Sequence, residues 1–538
     1  MNKSKIVSKL IAAALSLTFV ATFAVSASAK PDSINEAKVP PATSNHDLVV
    51  YGGSPAGVTA AVAASRRGLK VVLLSQSPTV GGTISNGLGA TDVLVPSNVS
   101  GIPLEFFTQV KSAYKNQDAW RVTPKVAEKI FRKMLTAANV DVWLNVSATQ
   151  ASVVSGKITC LTIQNDSKFC AKQFIDASYP ADLLPLTKTK FKLGKEDLFD
   201  YGDDKGMEIV MQSRINITKT LNAQETVSID SLPFMEHPKT FDINKVKLTD
   251  GMPNFTYRFC ISKEKKRPFK LDSKDLGYIP AWKVLVEAFT RAPCVGCRST
   301  DLHTVTKFWR IGKVHGSKWD LNSLNSFTNF PLPRSYFSDS STRAETNAEA
   351  ARYIESFLAF LQSDPDVHPL EKNALAGFGM CADEFTDNNN IPYEPYIREG
   401  RRLVGKYVML ATDQKTNIRK PDTIGIGMYH IDNKLSRRIH FKNSFYRDYT
   451  TFQQSKIYEI PYSITVPKTG PSNLLVAVGV STSPLAYGSI RMEPHYMLIG
   501  QATGVAASMA IKNNRKVGEI SVSELQGILK AWGQKLSN

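Results

Sequence analysis

Histidine is scarce in this chain, with eight among 538 residues, and so is cysteine, with six. The one C-x-x-C, Cys294-Val295-Gly296-Cys297, has neither a second such pair nor a close pair of histidines to complete it, so no metal site is expected. Basic residues outnumber acidic ones, for a formal charge of +18, yet they are scattered. The short run Lys263-Glu264-Lys265-Lys266-Arg267 is not the clustered stripe or known motif that nucleic-acid binding requires, so no nucleic-acid partner is expected. A solvated surface, or weak attraction to an anionic polymer or surface, accounts for the excess charge. Internal repeats and low-complexity tracts are missing, and beyond the N-terminus no apolar run approaches the ~20 residues that span a bilayer. What remains is ordinary for a globular chain, with 42% apolar and 21% charged residues. Its length predicts two or more domain-sized cores.

The N-terminus departs from this pattern. Lys3, Lys5 and Lys9 precede an apolar run from Ile11 to Val25, and Ala27-Ser28-Ala29 follows as a small-x-small site. The run is short for a membrane anchor and no positive stop follows it. Residues 1–29 therefore read as a secretory signal peptide cleaved after about Ala29, which places the mature protein outside the cell or in the periplasm. There is no twin-arginine pair, so export is expected in the unfolded state, with any cofactor loaded afterwards. An oxidising compartment permits disulfides. Cys160 and Cys170 flank the turn sequence Asn165-Asp166-Ser167 and are expected opposite each other in a hairpin. The C-x-x-C is open between a local disulfide, a redox pair and half a zinc site. Its surroundings lack a thioredoxin-like pattern, which favours a structural role or thiols paired elsewhere.

Residues 30–46, polar and holding Pro31, Pro40 and Pro41, read as a linker. Asp47 to Tyr51 is then a short apolar strand, Pro55 to Arg67 an alanine-rich helix stopped by Gly68, and Lys70 to Leu74 a second apolar strand. Strands apolar throughout suit a parallel sheet buried on both faces. Between the first strand and helix lies Gly52-Gly53-Ser54-Pro55-Ala56-Gly57. The G-x-G-x-x-G fingerprint needs a tight turn, close approach of backbone to a pyrophosphate, and close helix–strand packing. Gly52 and Gly57 satisfy the first and last. Ser54 takes the middle position, where its hydroxyl is small enough to reach a phosphate oxygen. The helix N-terminus adds free N–H groups. About 20 residues on, where an acidic residue usually holds the ribose, stand Ser75 and Gln76. Gly81-Gly82-Thr83 follows, in a stretch of small residues that lets an extended cofactor lie against backbone.

Further along, Thr123-Pro124 starts a helix with Val126, Ile130 and Met134 on one face. Val140 to Leu144 and Ala171 to Ala177 read as strands, and Val153 to Ile163 as a hairpin around Ser155-Gly156. The region 183–395 is polar and mixed in texture, with helices expected at 281–291 and 345–363. Leu474 to Val480 is a buried strand and Tyr496 to Ile511 a helix rich in small residues.

These segments resemble the FAD-dependent oxidoreductase family, whose members share a glutathione-reductase-like flavin domain. The resemblance continues through Phe174-Ile175-Asp176-Ala177-Ser178-Tyr179, Asn254 to Cys260, Lys318 to Asn322, Pro395 to Arg402 and Asp422 to Gly427. It is most specific at Ala486 to Pro494 and Gly500-Gln501-Ala502-Thr503-Gly504, similar to the family's C-terminal flavin segment. It implies an α/β, Rossmann-like FAD-binding domain formed by residues 47–182 and 396–538, with an inserted α+β substrate domain at 183–395. The cofactor-binding residues it implies are Gly52, Gly53, Ser54, Pro55, Ala56, Gly57, Ser75, Gln76, Gly81, Gly82, Thr83, Ala177, Ser489, Arg491 and Gln501. Three positions depart from the family: Ser75 replaces a glutamate, Asn433-Lys434-Leu435 stands where a histidine pair is frequent, and Ser483-Pro484 replaces a histidine before Tyr487-Gly488-Ser489.

The function implied is oxidation of a small molecule through FAD, with hydride leaving a C–H bond, often at a carbinol carbon, while a base takes the hydroxyl proton. His430 and His495 are the histidines near the matched segments and are the candidates for that base. Arg398 and Arg491 are placed either to neutralise phosphate or anionic reduced flavin, or to form ion pairs. The rival expectations are an exported protein that keeps the fold for binding without turnover, and a lyase or hydrolase on the same scaffold.

Overall fold

A computed structural model describes residues 34–35, 39–194, 213–216, 231–242, 252, 254–291, 297–323, 328–416, 418–433, 438–442, 444–447 and 451–537. The expected signal peptide, Pro31, Cys294 and Lys434-Leu435 lie outside the described residues.

One sheet organises the first 180 residues and is completed from the far end of the chain. Its strands are β1 (Ile34–Asn35), β2 (Thr43–Tyr51), β3 (Val71–Leu74), β4 (Asp141–Trp143), β5 (Ala148–Val154), β6 (Lys157–Ile163) and β7 (Lys168–Asp176), in spatial order β1-β4-β3-β2-β7-β6-β5. From β1 to β7 the neighbours run parallel. The edge of β7 away from β2 is shared. Its first residues pair antiparallel with β6, and Phe174 to Asp176 pair parallel with the strand Leu474–Val476. The α/β fold class expected from the sequence is present, although only the first three residues of the apolar run 474–480 are strand. Part of the polar stretch 30–46 joins the sheet, through Ile34–Asn35 against β4 and through Thr43 to His46 against β7.

Five helices matter below: α1 (Pro55–Arg66), α2 (Ile102–Ala113), α3 (Pro124–Ala137), α4 (Ser340–Ser363) and α5 (Glu493–Lys512). The middle strands are buried on both faces, as their unbroken Val/Leu sequences require. One face packs on α1 and α5; the other holds Val49, Val72, Phe174, Trp143 and Leu183. α3 buries Ala127, Ile130, Phe131 and Met134, one turn-spaced stripe of the pattern visible in its sequence.

α5 lies parallel to α1 at a distance only glycine permits. A Cβ on Gly500 would sit 2.1 Å from the Ala56 carbonyl oxygen, and one on Gly504 would sit 2.2 Å from that of Ala60. Thr59 Oγ1, between them, donates to the Met497 carbonyl at 2.7 Å. Because residue 500 faces residue 56, the first turns of α5 project past the start of α1.

The middle region builds a seven-stranded antiparallel sheet from strands between Phe259 and Cys381, covered by helices Ile279–Arg291 and α4. Trp282, Tyr353, Phe357 and Phe360 interlock as its aromatic core. Cys160 and Cys170 face each other in the β6–β7 ladder and are disulfide-bonded, as expected. A second disulfide, Cys260–Cys381, closes a 121-residue separation between neighbouring strands and was not foreseen. Cys297 is also disulfide-bonded. Among the described residues no helix is long and apolar enough to cross a membrane.

Replacing Gly504 by Val should therefore force the two helices apart, because the opposing atoms are backbone. We expect a loss of about 3 kcal/mol or more in urea unfolding, whereas Gly527→Val, on an open helix face with nothing within 4 Å, should cost about 1 kcal/mol or less. Equal losses would show that the close approach is not needed.

Candidate functional site

β2 ends at Tyr51, and the chain turns at Gly52, whose φ of +114° and contact with Ala177 backbone leave no room for a side chain. Gly57 packs equally tightly on the Gly52 carbonyl oxygen, 2.0 Å from where a Cβ would lie. Pro55, Ala56 and Gly57 form the first turn of α1. The Ser54 hydroxyl is not left for a phosphate. It accepts from the Gly57 N–H at 3.2 Å and donates to the Ala177 carbonyl at 2.7 Å, so it caps the helix and ties it to the end of β7. Among the described residues the N–H groups of Gly53, Ser54 and Ala56 make no hydrogen bond. Three donors at a helix N-terminus therefore remain for an anion.

They face a cavity of about 170 Å³ at the carboxyl ends of β2 and β7. Gly52, Gly53, Ser54, Gln76, Ala177 and Tyr179 line one side of it; Tyr336, Arg343, Tyr393 and Glu394 line the other. Ser75 does not line it: its hydroxyl donates to the Thr79 carbonyl at 2.9 Å and stands behind Gly53. Gln76 is the polar side chain that the end of β3 presents. Its amide approaches Asp182 at 3.4 Å, and Asp182 is held by Arg343 through a two-bond fork at 2.9 and 3.0 Å and by Arg401 at 2.9 Å. Those arginines hold the Asp182 carboxyl below its ordinary pKa against the opposing effect of burial.

The second glycine loop is anchored to the first, since Gly81 donates its N–H to the Gly53 carbonyl at 2.7 Å. Gly81 takes a left-handed φ of +95° that brings Gly82 and Thr83 onto Tyr179. The Tyr179 hydroxyl accepts from the Thr83 N–H at 3.0 Å and donates to Glu493 Oε1, also at 3.0 Å; the Thr83 hydroxyl donates to the same oxygen. Glu493 opens α5, where the helix N-terminus favours a carboxylate. Its other oxygen is buried without a partner. Burial raises the Glu493 carboxyl to about 7 despite the Thr83 and Tyr179 hydrogen bonds. Glu394, half-buried in the cavity wall and held by the Asn86 amide at 3.2 Å, is raised to about 7 by burial and by the charge of Glu493.

The side chains of the remaining expected residues have partners within the protein. Gln501 accepts from the Ile102 N–H at 2.7 Å and so completes the start of α2. Ser489 bonds the Tyr458 hydroxyl at 2.7 Å and the Tyr429 carbonyl. Arg491 pairs with Asp432 at 3.1 Å and donates to the Tyr396 hydroxyl at 2.8 Å. His495 is 1% exposed. Its Nε2 accepts from the Met428 N–H at 3.1 Å, and burial lowers its pKa to about 4, so it is neutral and fixed as an acceptor. His430 is half-buried between Tyr429 and Phe452, with Nδ1 accepting from the Ser455 N–H at 3.3 Å. Neither histidine lines the cavity. Glu394, Asn86 and Arg343 were not singled out from sequence. Glu493 had a local signal, an acidic residue directly before a proline that starts a helix.

A glycine loop offering free amides at a parallel-sheet edge, with a second glycine loop bound to it, defines a dinucleotide-dependent protein. The chain belongs to the FAD dependent oxidoreductase family, whose model matches residues 47–529. No curated protein matches it. Among solved structures it is similar to a geranylgeranyl bacteriochlorophyll reductase-like protein from Thermoplasma acidophilum, at 11% identity over 92% of this chain and 85% of that one, TM-score 0.34. It is also similar to a triple mutant of a flavin-dependent brominase, at 9% identity over 90% and 84%, TM-score 0.37. The protein is thus an FAD-dependent oxidoreductase. The residues fit that cofactor: three free amides at the start of α1 suit a diphosphate, and Gln76 presents a hydrogen-bonding group for ribose. The free amides at the cavity's edge would hold the diphosphate.

The carboxyl pKa values predict an unusual pH response. Glu394 and Glu493 ionise near 4.5 when unfolded and near 7 when folded. Folding therefore takes up protons in that window, and this contribution to stability is lost as pH rises from about 4.5 to about 7. Glu493→Gln should flatten the fall, as measured by urea unfolding across that range without added FAD. A variant that keeps the wild-type slope would contradict the assignment.

Proposed function

We propose that the protein oxidises a small molecule at a carbinol carbon, with hydride leaving the C–H bond and the Glu394–Glu493 pair receiving the hydroxyl proton. Bound FAD supplies the two-electron acceptor. The observation that carries the reading is the pair itself. Burial raises both carboxyls to about 7, and the charge of Glu493 adds to the rise at Glu394, so a proton is held near neutral pH, where a general base works best. Glu394 faces the cavity and takes the proton; Glu493, fixed by Thr83 and Tyr179, sets its affinity. His495, neutral and already accepting a backbone bond, is not assigned this role, and His430 does not line the cavity.

Reconstitution with FAD should give a protein whose flavin absorbance is bleached anaerobically by an alcohol from a carbinol panel, more slowly when the carbon bears deuterium. Glu394→Gln should cut that rate by about 100-fold or more with FAD content unchanged. Bleaching by nicotinamide cofactors but by no alcohol, or an undiminished rate in the variant, would overturn the reading.

We propose also that residues 1–29 direct export. Two disulfides in a chain with no free cysteine among the described residues support an oxidising destination. Mass spectrometry of the protein recovered outside the cytoplasm should give a chain beginning at Lys30. An intact N-terminus retained in the cytoplasm would contradict this.

A further inference from the structure

A second polar cluster lies close to Glu493 in the chain. Arg491, two residues before it, converges with Arg258 and Arg398 on the Tyr396 side chain. Arg491 donates to its hydroxyl, and the guanidinium carbons of Arg398 and Arg258 lie 5.0 and 5.8 Å from the ring centroid. Asp92 is exposed nearby; burial of its carboxyl raises its pKa against the charges of Arg258 and Arg491. Two of the three arginines have carboxylate partners: Arg258 forks onto Asp320 and Arg491 holds Asp432.

Arg398 has none. It is 6% exposed, and among the described residues no carboxylate lies within ion-pair distance of it. Its Nη1 donates to the neutral Asn254 Oδ1 at 2.9 Å, and among the described residues its Nε and Nη2 make no hydrogen bond. Beside it, Asn254 Nδ2 is buried without an acceptor. Burial and the charges of Arg491 and Arg258 lower the guanidinium to about 10, which leaves it cationic at neutral pH. An unpaired buried cation beside an unpaired buried amide donor is costly in the free protein. One planar anion with two oxygens would satisfy the open side of the guanidinium and the amide together, and a carboxylate has that shape.

We propose that Arg398, with Asn254, anchors the carboxylate of an anionic substrate. The inference rests on the oxidoreductase reading for the word substrate, but the anion site itself does not require turnover. The phosphates of the cofactor are not the expected occupant, because the free amides of Gly53, Ser54 and Ala56 are their donors.

The test is calorimetric titration of the FAD-loaded protein with succinate and with uncharged succinamide. Wild type should bind succinate saturably and succinamide at least about 10-fold more weakly. Arg398→Gln should weaken succinate by a similar factor while FAD content stays the same. Arg398→Lys, which keeps the charge and loses the fork, should fall between the two, and it alone decides the matter should the Gln variant fail to fold. The proposal is overturned if wild type does not bind succinate, if succinamide binds as well, if the folded variant binds like wild type, or if FAD is lost with Arg398, which would assign the residue to the cofactor. Succinate binding in a protein that no alcohol reduces would sink the carbinol reading and leave the anion site standing.

Discussion

The close parallel packing of α1 and α5 is the constraint on which the rest of the site depends. The free amides of Gly53, Ser54 and Ala56 are useful only while the start of α1 is held against the sheet, and α5 holds it there with backbone against backbone at Gly500 and Gly504. The same parallel alignment carries the start of α5 past the glycine loop, which puts Glu493 against Thr83 and Tyr179. One steric requirement, the lack of a Cβ at two positions a helical turn apart, thus sets both the phosphate cradle and the carboxylate behind it. The two pieces come from opposite ends of the chain, and the strand Leu474–Val476 on β7 brings them together.

Charge is distributed along this axis by a common rule. At the cavity, Asp182 is fully compensated by Arg343 and Arg401 and is depressed in pKa. Glu394 and Glu493 lack a cation in contact and are raised instead. Beyond them Arg398 is the reverse case, a buried cation without a carboxylate. Paired groups position the walls, and unpaired groups mark where protons or ligands are exchanged.

Much of the fold was legible because its signals are local. Unbroken apolar strands, the Thr123-Pro124 helix start and the Gly52–Gly57 turn each carry their meaning within a few residues, and the Cys160–Cys170 pairing follows from one hairpin. The site was legible only in part. Ser54 read as a phosphate ligand because its spacing in the fingerprint is fixed, but its hydroxyl goes to Gly57 and Ala177, a partner 123 residues away. Gln501 read as a flavin residue, and its side chain completes the start of α2. Glu394 and Arg343 were invisible because nothing near them in sequence marks them; they reach the cavity only through the packing of the middle region on the first sheet. The histidines attracted attention by chemical type, whereas burial keeps His495 neutral.

The central claim is that the α1 N-terminus, held by α5, receives the cofactor's diphosphate. A crystal structure of the FAD-loaded protein tests it most directly. The account predicts diphosphate oxygens within hydrogen-bond distance of the Gly53, Ser54 and Ala56 amides. FAD bound elsewhere, or bound there with those amides uncontacted, would contradict it.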